Sequence, residues 1–116
     1  MRPDQIIKEL LRQKDLLEQK DDSVKELAEN KANAEMDYRI AVASEVARLR
    51  MKSVSVSLSD ALARGDPVVA GKKRDSIKAE EIMKACFKSM DNIRTIIDLL
   101  RSLLSHESKE RFSRNV

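Results

Sequence analysis

The chain has 116 residues, 23 of them Lys or Arg and 20 Asp or Glu, so 37% are charged and the formal net charge is +3. Aromatics make up 3%, and there are two Gly, two Pro and one Cys. Such a length allows one domain, and so few turn formers exclude a sandwich, a barrel or a layered α/β fold. The expected class is all-α: a long antiparallel helical hairpin with a short helix at its turn. A lone Cys forms no internal disulfide, and one Cys with one His are too few for an ordinary zinc site. No apolar run approaches the ~18 residues of a membrane span. The charged N-terminus lacks an apolar h-region, so no signal peptide, no membrane association and a cytoplasmic location are expected.

The first helix is expected from Pro3 to about Met51. Pro3 suits a first helical position, and Asp4 and Glu9 favour the positive end of the helix dipole. Ile6, Ile7, Leu10, Leu11, Leu16, Leu17, Val24, Leu27 and Ala28 recur at helical spacing. Its second half is rich in small residues, which let another helix come close. Residues 53–57 alternate Ser with Val, poor helix material, and residues 52–57 read as an extended connector. Ser57 and Asp60 fit a capping box that opens a short helix. Gly65 is expected to close that helix in the left-handed conformation. Asp66 then caps, and Pro67 begins, a last helix that runs to about Ser105. Residues 106–116 are polar apart from Phe112 and are expected to fray.

The last helix carries the strongest pattern. Met83, Met90, Ile97 and Leu104 form one heptad column, and Cys86, Ile93 and Leu100 the other. Ile82, Phe87, Ile96, Leu99 and Leu103 widen the stripe to roughly 200°, with Leu99 alone outside that arc. One partner helix covers less than this, so at least two are expected. With the turn near residues 52–66, facing positions sum to about 118 in a simple hairpin. That sets Ile82–Leu104 against residues 14–36. The remainder of the stripe then calls for a homodimer that completes a four-helix bundle, or for another protein. Ile82, Met83, Cys86, Met90, Ile93, Ile96, Ile97, Leu100, Leu103 and Leu104 are the candidate interface.

Catalytic candidates are few. His106 sits in the polar tail, Cys86 in a core column, and adjacent Glu80 and Glu81 point about 100° apart, unlike a shared-proton dyad. Arg64-Gly65-Asp66 spells an adhesive tripeptide that a helix stop and a helix cap already explain. No enzyme activity, cofactor, metal or small-molecule substrate is expected. Charge is uneven: between residues 48 and 78 eight bases oppose three acids. Arg48, Arg50, Lys52, Arg64, Lys72, Lys73, Arg74 and Lys78 are candidate phosphate contacts at the hairpin tip. No aromatic falls in that window, so a stacking platform for single strands is absent there.

Residues 34–41, running on to Arg48-Leu49-Arg50, and residues 60–66 resemble small, helical, largely uncharacterised proteins encoded in phage and prophage genomes. The resemblance covers about residues 30–80 and includes no catalytic motif. It implies an accessory role on a phage or host protein, in the host cytoplasm. The expected function is a non-enzymatic helical interaction or adaptor protein. The alternative is a nucleic-acid-binding accessory protein that uses the basic tip.

Overall fold

The protein is described by a computed structural model over residues 1–114; residues 115–116 and the side chains of Phe112, Ser113 and Arg114 lie outside the described part. The described chain is three helices: α1 (Pro3–Met51), α2 (Val56–Gly65) and α3 (Pro67–Arg114). No described helix is long and apolar enough to cross a membrane.

α1 runs unbroken because no Gly or Pro follows Pro3 within it. Gln5 Oε1 accepts from the Arg2 backbone N–H at 2.9 Å, which is half of a capping box across the first turn. Ion pairs Glu9–Arg12, Glu35–Arg39 and Glu45–Arg48 sit at helical neighbour spacing, where opposite charges support a helix.

The end of α1 departs from expectation. Residues 52–55 form a tight stop and not an extended connector. Ser53 N–H bonds to the Arg50 carbonyl and Val54 N–H to the Leu49 carbonyl, the two bonds of a Schellman motif. Its left-handed residue is Ser53, with φ 64°. Gly65, expected in that conformation, has no positive φ and is the last residue of α2. Ser55 caps α2 only two residues after Ser53, so the chain changes direction within this short stretch and the stop falls on Ser53. Ser53→Gly removes the Cβ clash of a left-handed L-residue. It should raise stability by about 1 kcal/mol, read as a higher urea midpoint at unchanged m-value.

α2 is capped by Ser55, not Ser57: the Ser55 hydroxyl accepts from Leu58 N–H. Ser59 and Ala63, one turn apart, are fully buried, and Ser59 Oγ donates to the Val54 carbonyl at 3.3 Å. Small side chains let α2 lie close on its support, and Leu58 and Leu62 are left exposed. Asp66 then caps α3 as expected, accepting from Val68 and Val69 N–H at 3.0 and 3.2 Å.

α3 does not end near Ser105; it is helical to Arg114. No breaker lies beyond Ser105, and His106 Nε2 lies 3.1 Å from Glu110 Oε1 one turn on, so nothing in the sequence stops the helix. His106 is therefore an exposed mid-helix side chain.

The chain divides into two compact units, residues 1–24 with 85–116 and residues 25–84. In the first, the start of α1 lies against α3, with Ile6, Met90, Ile93, Ile97 and Leu100 buried. In the second, the rest of α1 carries α2 and the start of α3, with Ser59, Ala63 and Val69 buried. The register differs from the simple hairpin. Cys86 Sγ lies 3.8 Å from the Lys20 carbonyl, not near Ala32, and Lys73 lies over Tyr38, not near Glu45. α2 is the cause: it lies along α1, as the Arg64–Tyr38 bond shows, and occupies length that the simple turn would have given to α3.

Candidate interaction surface

The structure splits the expected interface in two. Cys86, Met90, Ile93, Ile97 and Leu100 are buried within the chain's own first unit, and Leu104 is half-buried there. The five buried side chains form the core of this unit. Met83 is half-buried in the second unit, and Ile82 is exposed there. Ile96 and Leu103 are exposed, at 39% and 46%. Leu99, the one apolar residue outside the sequence-based arc, is 61% exposed. Ile96, Leu99 and Leu103 follow one another at helical i, i+3, i+7 spacing, so they form one continuous stripe beside the seam.

The α1 side of this unit is less apolar. Gln13 is 5% exposed, and its Oε1 has no hydrogen-bond partner. Its Nε2 donates to Glu9 Oε1 at 3.0 Å. Hydrogen bonds from Arg12, then from Gln13, hold the Glu9 carboxyl down from its ordinary 4.5 to about 2. Cys86 packs in the seam as a small apolar group, with its thiol directed at the Lys20 carbonyl.

The second unit holds the basic residues, but not at one tip. Tyr38 is the node that sequence reading missed. Arg64 Nη1 donates to Tyr38 Oη at 2.9 Å, and Lys73 Nζ lies 4.9 Å from the ring centre, a cation–π distance. An aromatic does therefore sit among the bases; it comes from α1, outside the sequence window that was searched. Hydrophobic spacing gives no signal for such a contact, because it depends on the register that α2 sets. Arg64 also pairs with Asp60, and Arg48 with Glu45. Among the described residues, Arg50, Lys52, Lys72, Arg74 and Lys78 carry no ion pair.

A groove of about 390 Å³ runs beside Tyr38, lined by Lys31, Glu35, Arg39, Lys73, Ser76 and Glu80. Its carboxylates are already engaged: Glu35 pairs with Arg39 and Glu80 with Lys84. Glu81 pairs with the same lysine. Such a wall has no single sign of charge. Among the described residues no group of three or more His, Cys, Asp or Glu could hold a metal ion.

No family model matches the chain, and no curated protein or solved structure shows significant similarity to it. The stripe on α3 places three large exposed hydrophobics at successive helical steps, whereas Met36 with Ile40 on α1 and Leu58 with Leu62 on α2 place two each.

Proposed function

We propose that the protein is a non-enzymatic helical interaction protein that acts as a homodimer, each hairpin covering the exposed apolar flank of the other. The observation that carries this is the stripe Ile96, Leu99 and Leu103, outward-facing beside a seam that is already filled. Large contiguous apolar patches mark protein interfaces. A second helical chain is the natural cover, because helical spacing on one side is met by helical spacing on the other. The nucleic-acid alternative is less supported. Arg48 and Arg64 are neutralised by Glu45 and Asp60, and the Tyr38 ring faces Lys73, not open solvent.

Sedimentation equilibrium at micromolar concentration is the test. The expected mass is twice the 13.2 kDa of one chain. A folded 13.2 kDa species throughout that range would overturn self-association and leave the stripe to a different protein.

A further inference from the structure

The stripe has charged ends of opposite sign. Along the same flank of α3, at steps of three or four residues, the sequence reads Lys88, Asn92, Ile96, Leu99, Leu103, Glu107. Between Lys88 and Glu107 every residue on that line is uncharged. The span is about 28 Å of helix. The other charges of this stretch, Asp91, Arg94, Asp98 and Arg101, project from the opposite side of the helix at 100° per residue. Among the described residues neither Lys88 nor Glu107 has an ion-pair partner.

That pattern discriminates between the two ways of laying one α3 on another. A parallel pair sets Lys88 against Lys88 and Glu107 against Glu107. An antiparallel pair sets each Lys88 against the Glu107 of the other copy, at both ends. In that arrangement the two-fold axis falls between Ile96 and Leu99, Leu99 of each copy faces Ile96 of the other, and Leu103 faces Asn92. The geometry points to an antiparallel, two-fold α3–α3 contact between two copies of this chain, centred between Ile96 and Leu99 and closed at each end by a Lys88–Glu107 pair. Such a contact is self-complementary, as a two-fold interface requires, and like charges brought opposite one another penalise the parallel alternative.

This inference rests on the homodimer proposed above, and its test separates the two. Dimer dissociation constants would be measured by sedimentation for the native chain, K88E, E107K and K88E/E107K. Circular dichroism would confirm that each variant keeps its helix content. Either single reversal places two like-charge pairs in the interface and should weaken the dimer roughly tenfold. The double reversal restores opposite charges at both ends and should return affinity to within about threefold of the native chain. A double variant no tighter than the weaker single one would overturn the antiparallel pairing, even with the dimer intact. A native chain that stays monomeric would overturn the dimer itself, and the pairing with it.

Discussion

Ile97→Asp should unfold the first unit. Ile97 is 5% exposed and sits between buried Ile93 and Leu100 in the seam against α1. A carboxylate there would have no cationic partner, and an unpaired buried charge costs about 3–5 kcal/mol. A whole domain is stable by only about 5–15 kcal/mol, and a two-helix unit should lie at the low end of that range because it buries little surface. The measurement is far-UV circular dichroism against temperature. The variant should lose much of its helical signal at 25 °C, and association should be lost with it. Retained native helicity with a native midpoint would mean that the seam is not the core of this unit.

Leu99→Asp should have the opposite profile. Leu99 is 61% exposed, so the hairpin does not depend on it, and exposed substitutions usually shift stability by less than about 0.5 kcal/mol. In the two-fold contact the substitution brings two carboxylates together beside the axis and removes two leucines from the interface. Like-charge juxtaposition costs several kcal/mol, so association should weaken by at least about 100-fold. Helix content at concentrations where the chain is already monomeric should not change. Ile97 and Leu99 are two residues apart on one helix, and the account assigns one to folding and the other to assembly.

Much of this fold could be read from residues alone. Pro3, Asp66 and Pro67 mark helix starts by local chemistry that no tertiary contact overrides. The heptad columns from Met83 to Leu104 predict the seam, and their members are buried or half-buried. Three features escaped for physical reasons. The left-handed stop fell on Ser53 and not on Gly65, because the path of α2 decides where the chain must reverse. The pairing of α3 with α1 shifted because Ser59 and Ala63 let α2 lie along α1 instead of merely bridging the turn. That same shift carried Lys73 to Tyr38, a contact that no sequence window contains. The interface list was legible only as a union: apolar spacing finds both the seam and the stripe, but burial alone separates Ile93 and Ile97 from Ile96 and Leu103.

If the seam closes within one chain and the stripe between two chains, thiols placed in the two differ in how their accessibility depends on concentration. Two proteins would be labelled with a maleimide under reducing conditions: the native chain, whose one thiol is Cys86, and L99C in a C86S background. Cys86 should label slowly at nanomolar and at tens of micromolar concentration alike, because α1 of its own chain covers it. The thiol at position 99 should label fast when dilute and at least about tenfold more slowly when concentrated, as the second copy covers it. Equal rates for position 99 at both concentrations would contradict the account. So would a Cys86 rate that rises on dilution, which would place the seam between chains.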